Sequence, residues 1–233
     1  MVIIQNKRIF GVIFDMDGLI INNSQLYKKA YQLSGKRLGY DIDDALYARF
    51  LGISHEHCAQ ILEDTFGEDF PNAAYSTLVQ QEYARLLASE PTVFQTGFPE
   101  LFKFLQSQRL KLGLATSSTP TEVKLNFRGT AYPDAFHTIL THADITQGKP
   151  HPEIYDRALT QLDLYPHQTL VLEDSNNGMR SAIAAGCLSV MIPSIAPPDP
   201  DVKADAFLIL ETLAELLPLL QSEPRTMMAA LGY

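Results

Sequence analysis

The chain has 233 residues, of which 46% are hydrophobic and 19% charged, a composition that predicts a packed globular core and argues against a largely disordered protein. Its formal net charge of −9 argues against nucleic acid or an anionic membrane as a main partner. A small anionic substrate remains compatible with one locally positive cleft. The residues before Gly11 are too few for a signal peptide, and no apolar run is long enough to span a bilayer. We therefore expect a cytoplasmic protein.

The first predicted strand runs from Ile9 to Phe14 and ends in two carboxylates, Asp15 and Asp17, followed by Gly18. A short β-branched and aromatic run of this kind is typical of a strand buried on both faces of a parallel sheet. Two carboxylates so close repel each other unless a cation or a proton lies between them, and Mg²⁺ is a natural cation for such oxygens. Asp and Gly also form ordinary turns after strands, so the motif alone leaves both interpretations open.

The region between Gly18 and Pro91 predicts a succession of helices and no strand. The predicted helices run from Ser24 to about Arg37, from the Asp41–Asp44 cluster to about Phe50, from His55 to Phe66 and from Asn72 to Ala88. A regular β-α-β crossover uses one helix, so this succession indicates an inserted helical domain. We expect a helical cap domain at residues 22–90 and an α/β catalytic core at residues 1–21 and 91–233.

After Pro91, predicted strands and helices alternate. The strands are Lys111–Ala115, Phe136–Leu140, Thr169–Leu172, Leu188–Ile192 and an edge strand at Phe207–Leu210. The helices are Phe98–Gln108, one beginning at Pro120, Glu153–Leu162, one from Asn176 to Ala185, and one carrying Leu213 and Leu216; the segment from Pro193 to Pro200 is a predicted surface loop. Repeated β-α units predict an α/β fold, with a parallel Rossmann-like sheet, helices on both faces and a small all-helical cap.

Polar groups follow several of these strands, and parallel strands deliver such groups to one edge of the sheet. They are Asp15 and Asp17 after the first strand, Thr116 and Ser117 after the second, Lys149 before a helix, and Glu173 and Asp174 after the Thr169–Leu172 strand. Hydroxyls and free N–H groups before a helix suit phosphate oxygens, and a lysine neutralises a phosphoryl group or a carboxylate. Each group alone also fits a helix cap or a solvated side chain, but a shared site explains all of them together.

Four stretches in this order resemble the haloacid dehalogenase superfamily, in the β-phosphoglucomutase-like branch with a helical cap inserted after the first motif. They are Phe14-Asp15-Met16-Asp17-Gly18, Leu114-Ala115-Thr116-Ser117-Ser118, Gly148-Lys149-Pro150-His151-Pro152-Glu153-Ile154-Tyr155 and Leu172-Glu173-Asp174-Ser175-Asn176-Asn177-Gly178. The likeness covers nearly the whole chain.

The resemblance implies catalytic roles for the two leading carboxylates. Asp15 is similar to the nucleophile that becomes an aspartyl-phosphate, and Asp17 to the general acid that later activates water. Mg²⁺ would be bound by Asp15, the Asp17 backbone carbonyl and Asp174, with Glu173 in or just outside the ligand set.

The resemblance also implies a phosphate site, formed by Thr116, the backbone around Ser117, and Lys149, with the cap closing over it. The expected partner is a small phosphorylated metabolite, with no nucleic acid and no membrane. The protein would be a monomer or a weak homo-oligomer.

Two departures from the family pattern bear on the substrate. Asn22-Asn23-Ser24 stands where the family commonly has Asp-Ser/Thr-Glu, which keeps helix-capping ability and loses negative charge beside the cavity. His55 stands near the place where the mutases carry an arginine that grips a second phosphate, and it is also compatible with a plain surface position.

The sequence therefore favours a Mg²⁺-dependent phosphatase acting on a sugar phosphate through an aspartyl-phosphate. A sugar phosphomutase is the alternative enzyme, and a catalytically silent binding module on the same fold is the remaining alternative.

Overall fold

The computed structural model describes residues 1–50, 55–89 and 91–221, apart from the side chains of residues 55–57. The strands are β1 (Val2–Ile4), β2 (Lys7–Ile9), β3 (Gly11–Phe14), β4 (Lys111–Ala115), β5 (Thr138–Leu140), β6 (Thr169–Glu173), β7 (Leu188–Met191) and β8 (Leu208–Ile209). The helices are α1 (Ser24–Leu38), α2 (Asp44–Ala48), α3 (His55–Phe66), α4 (Asn72–Ser89), α5 (Phe98–Ser107), α6 (Pro120–Asn126), α7 (Tyr132–Ala135), α8 (Glu153–Leu162), α9 (Asn176–Ala184), α10 (Pro200–Asp205) and α11 (Leu213–Gln221).

The main sheet of the described chain has the strand order β5-β4-β3-β6-β7-β8, and every neighbouring pair is parallel. β3 lies at its centre, where Gly11 pairs with Lys111 of β4 on one side and with Thr169 of β6 on the other. All four residues of β3 are buried, which confirms the strand buried on both faces. The predicted parallel α/β fold is confirmed, and β8 is the edge strand expected near residue 208.

The start of the chain differs from the prediction of a single strand from Ile9 to Phe14. β1 and β2 form a separate antiparallel hairpin in which Val2 pairs with Ile9, and its turn places Gln5 and Asn6 at positive φ. β3 therefore begins at Gly11. The hairpin is hard to predict from sequence, because each of its strands is only three residues long and β2 carries two exposed charged residues.

Helices cover both faces of the sheet, as predicted. On one face, Val12 and Phe14 of β3 lie in an apolar cluster with residues of α5 and α11. On the other, Ile13 of β3 lies in a second cluster with residues of α8 and α9. Because adjacent strand residues point to opposite faces, one central strand contributes to both clusters. The short helices α7 and α10 were not predicted, and α10 begins at the end of the predicted proline-rich loop.

A third apolar cluster belongs to the helical region formed by α1 to α4, and it is rich in aromatic residues. α1 packs along α4, and buried Glu82 of α4 pairs with Arg37 at 2.6 Å and with Arg85 at 2.8 Å. The predicted helices agree closely with these elements, except that α2 begins at Asp44, after the capping side chain of Asp43, and ends at Ala48. Among the described helices, none combines the length and apolar character needed to cross a membrane.

Candidate active site

The ends of the two adjacent central strands β3 and β6 bring three of the predicted acidic residues together. Asp15 directly follows β3, and Glu173 and Asp174 stand at the end of β6, the strand next to it. One ligand oxygen from each of these three carboxylates lies within 4.8 Å of the others. The sequence rule that parallel strands deliver their polar groups to one edge accounts for this convergence.

Lys149 reaches this cluster from the loop before α8. Its Nζ donates to Asp15 Oδ1 at 2.6 Å, to Glu173 Oε1 at 2.5 Å and to the Ala115 carbonyl at 3.1 Å. The Lys149 side chain is only 6% exposed. Burial favours the neutral amine, but the two carboxylates outweigh it and raise the pKa of Lys149 above its ordinary value, so the lysine is a buried cation.

Glu173 is fully buried, and both of its carboxylate oxygens accept hydrogen bonds. Oε1 accepts from Lys149 and from the Tyr155 hydroxyl at 2.6 Å, and Oε2 accepts from the backbone N–H groups of Asp174 and Ser175 and from the Ser175 hydroxyl. A Cβ at Gly178 would lie 2.0 Å from this carboxylate, so only glycine fits there. This arrangement suits a residue that supports the ligand set more than one that binds the ion directly.

Asp15 and Asp174 are the better candidate metal ligands. In the described chain, hydrogen bonds engage one side-chain oxygen of each, from Lys149 to Asp15 and from Ser194 to Asp174 Oδ2. Burial, with Glu173 adding to it, raises the pKa of Asp174 to about 7; burial also raises the pKa of Asp15, against the opposing effect of Lys149. A divalent cation would relieve this repulsion, and a set of oxygen ligands fits Mg²⁺.

The turn after β3 lies beside Asp174 and leaves a backbone carbonyl available as a further ligand. Gly18 has φ +83°, and a Cβ there would lie 2.1 Å from Asp174 Oδ2. The bonds that close the turn run from Ile21 N to Met16 O and from Gly18 N to Ile21 O, so they do not use the Asp17 carbonyl. That carbonyl is the backbone ligand predicted from the resemblance.

The Asp17 carboxylate is bound on both oxygens. Oδ2 accepts from the hydroxyls of Ser118 at 2.5 Å and Thr116 at 3.4 Å, and Oδ1 accepts from Asn23 Nδ2 at 2.5 Å and the Tyr83 hydroxyl at 3.3 Å. Burial raises the pKa of Asp17, and the bonds from Ser118, Asn23 and Tyr83 oppose that rise because they favour the carboxylate.

The hydroxyl residues that follow β4 lie in different surroundings. Thr116 is fully buried beside Asp17, and its Oγ1 also accepts the backbone N–H of Ser118 at 3.0 Å. Ser117 is exposed, so its side chain is not brought into the carboxylate cluster. Ser118 was not among the predicted site residues, and its hydroxyl makes a shorter hydrogen bond to Asp17 than the Thr116 hydroxyl does. The run of hydroxyl residues from 116 to 119 was the only signal for it.

Asn23 corrects the expectation that the asparagines serve as helix caps. It occupies the N-cap position of α1, but its side chain makes no capping hydrogen bond and turns to Asp17 and Tyr83 instead. Tyr83 and Ser194 were also missed, because each lies far along the chain from its acidic partner and no local pattern marks it. His55 begins α3, and its side chain lies outside the described residues.

Glu153 secures the loop that carries Lys149. Its carboxylate accepts from the backbone N–H of Gln147 at 2.8 Å and of Thr146 at 3.1 Å and pairs with Arg157 at 2.6 Å. These contacts, the backbone bonds above all, lower the pKa of Glu153 from 4.5 to about 2.

A glutamine at this position is expected to change the acid stability of the protein. Because the folded pKa is depressed, Glu153 contributes stability that is present above pH 4.5 and is lost as the pH falls towards 2. Glu153→Gln should therefore unfold more easily than the parent at pH 7, with the difference shrinking below pH 4. Urea titrations at several pH values measure this, and a difference that stays constant with pH would contradict it.

The sequence model of the family described as "Haloacid dehalogenase-like hydrolase" matches residues 12–192. The chain is 31% identical, over 76% of its length and 81% of the relative's, to a protein of Thermotoga maritima named phosphorylated carbohydrates phosphatase. It is 28% identical to the β-phosphoglucomutase of Bacillus subtilis, over 88% of this chain and 94% of that one. Among solved structures, CbbY from Rhodobacter sphaeroides in complex with phosphate superposes with a TM-score of 0.78 at 26% identity, covering 92% of this chain and all of CbbY.

Proposed function

Because the chain belongs to the haloacid dehalogenase-like hydrolase family, we propose that it is a Mg²⁺-dependent phosphatase of small phosphorylated metabolites, of the sugar phosphate class. The observation that carries the proposal is the placement of Asp15. It stands at the end of the central strand, paired with the buried cation Lys149 and beside Asp174. A carboxylate nucleophile and a cation that neutralises phosphoryl charge are the groups that phosphoryl transfer needs most.

Two steps account for the proposed reaction. An Asp15 oxygen forms a bond to phosphorus while the bond to the ester oxygen breaks, and the Asp17 carboxyl gives its proton to that departing oxygen. Water then attacks the phosphorus of the aspartyl-phosphate, Asp17 takes a proton from it, and inorganic phosphate leaves with Asp15 restored. Lys149 and Thr116 would hold phosphoryl oxygens, with the backbone at Ser117.

Mg²⁺ would be held by the carboxylates of Asp15 and Asp174 and by the Asp17 carbonyl, with Glu173 fixing the surrounding chain. When bound, the ion would neutralise charge on the phosphoryl oxygens. We further propose that residues 22–90 act as a cap over a core made of residues 1–21 and 91–233. The helical region supports this, since its α4 contacts Asp17 through Tyr83.

Phosphate release from a panel of phosphorylated metabolites, with Mg²⁺ or with EDTA, tests the proposal. We expect at least one sugar monophosphate to be hydrolysed with Mg²⁺, a loss of at least about 100-fold in EDTA, and recovery when Mg²⁺ is added back. Equal rates in EDTA would refute the metal assignment. No release from any ester would refute the phosphatase itself and favour a silent binding module.

A sugar phosphomutase is the second candidate, supported by the likeness to β-phosphoglucomutase over 88% of the chain. It would need a bisphosphate activator and would yield an isomer of the sugar phosphate. Product analysis by ³¹P NMR separates the two, because inorganic phosphate is the only phosphorus-containing product of the phosphatase, which also releases the free sugar.

A further inference from the structure

The Asp17 carboxylate is held from two sides, and one of them is the helical region. The core hydroxyls of Ser118 and Thr116 bind Oδ2. Among the described residues, the donors to Oδ1 are Asn23, at the start of α1, and Tyr83, in α4. We propose that Asn23 and Tyr83 are positioning residues that aim the Asp17 carboxyl at the leaving-group oxygen, so that proton delivery depends on contact with the helical region.

The two donors form one buried unit. Asn23 Nδ2 reaches the Tyr83 hydroxyl at 2.6 Å as well as Asp17, and each of the two side chains is 1% exposed. The Tyr83 ring stacks on Tyr27 of α1, with centroids 3.8 Å apart and planes 15° apart. The unit is therefore fixed by the packing of α1 on α4.

Among the described residues, the Asn23 side chain has hydrogen-bond partners only in Asp17 and Tyr83. An asparagine at an N-cap ordinarily accepts a hydrogen bond from the first turn of its helix, and this one does not. Its amide is instead committed to Asp17 and Tyr83. Because this buried amide makes no cap hydrogen bond and donates to Asp17 instead, its role is to orient the Asp17 carboxylate.

The inference rests on the proposed role of Asp17 as general acid, and it makes a prediction that depends on the leaving group. An alkyl ester oxygen is a poor leaving group unless a general acid protonates it as the bond to phosphorus breaks, so a misaimed acid slows alkyl esters strongly. p-Nitrophenolate departs as a stable anion and needs no proton. kcat/KM includes the steps up to departure of the leaving group, so it is the constant that should separate the two esters.

The test compares Asn23→Ala and Tyr83→Phe with the parent, using p-nitrophenyl phosphate and the most active sugar phosphate of the panel. We expect kcat/KM for the sugar phosphate to fall about 10- to 100-fold, and that for p-nitrophenyl phosphate to change less than about threefold. Tyr83→Phe keeps the ring that stacks on Tyr27, and Asn23→Ala removes no helix cap, so both variants are expected to fold.

Tyr75→Phe is the matched control, because Tyr75 lies on the same helix and donates its hydroxyl to the Tyr31 carbonyl, away from Asp17. It should leave the ratio of the two kcat/KM values unchanged. An equal loss on both esters, or no loss on either, would overturn the positioning role while leaving the phosphatase proposal standing. A parent protein inactive on both esters would overturn both proposals.

Discussion

Asp15→Asn is expected to lower phosphate release by about 10⁴-fold or more while the protein remains folded. Asparagine has the shape of aspartate and keeps an oxygen that can accept the hydrogen bond from Lys149, but it cannot attack phosphorus as a carboxylate. It also removes one of three carboxyl groups that have ligand oxygens within 4.8 Å of one another and repel when ionised. The melting temperature in EDTA should therefore stay the same or rise. Steady-state kinetics and thermal unfolding measure the two effects.

Asp163→Asn is a suitable control for Asp15→Asn. The Asp163 side chain is fully exposed, and its φ of 51° is a conformation that asparagine also adopts readily. This variant should retain full activity and stability. If Asp15→Asn kept substantial activity with every substrate of the panel, the nucleophile assignment would be wrong.

Lys149→Met is expected to destabilise the protein by about 3–5 kcal/mol in EDTA, and to abolish phosphate release. Methionine fills similar space but leaves Asp15 and Glu173 facing each other without the cation that they share at 2.6 Å and 2.5 Å. The loss should shrink as the pH falls, since a protonated carboxyl no longer repels its neighbour. Urea unfolding at pH 7 and at pH 5 measures the loss of stability and its dependence on pH.

Lys111→Met provides the comparison for a partly exposed lysine. Lys111 lies 3.9 Å from the exposed carboxylate of Asp163 and is 42% exposed, so its ion pair contributes at most about 1 kcal/mol. A loss of stability in Lys149→Met no larger than in Lys111→Met would show that the buried cation is not what holds the acidic cluster together.

The sequence predicted the convergence of the site better than its details. The site forms because neighbouring parallel strands end at or next to Asp15, Thr116, Glu173 and Asp174. Those strands can be recognised in the sequence by their hydrophobic pattern, their length and the turn residues that follow them. Lys149 was identified because of its place before a helix and because of the resemblance.

Groups that reach the site from other elements could not be found in that way. Tyr83 lies within a helix whose apolar pattern explains it equally well as a core residue, and Ser194 lies in a proline-rich loop. The capping prediction for Asn23 considered only the residues next to it in sequence. Its actual partners, Asp17 and Tyr83, depend on how α1 and α4 pack. Long-range packing therefore decided the roles that local patterns could not.

The position of β3 bears on how the protein is made in the cell. Gly11 pairs with Lys111 and with Thr169. β3 is therefore synthesised before β4 and β6, the two strands that pair with it. At about 5–20 residues per second, the interval between the synthesis of β3 and that of β6 lasts roughly 8–30 s, during which an apolar strand has unpaired edges. Nascent chains should therefore be vulnerable to aggregation and depend on chaperones until β6 has emerged from the ribosome, and a message truncated before that point should yield no enzyme.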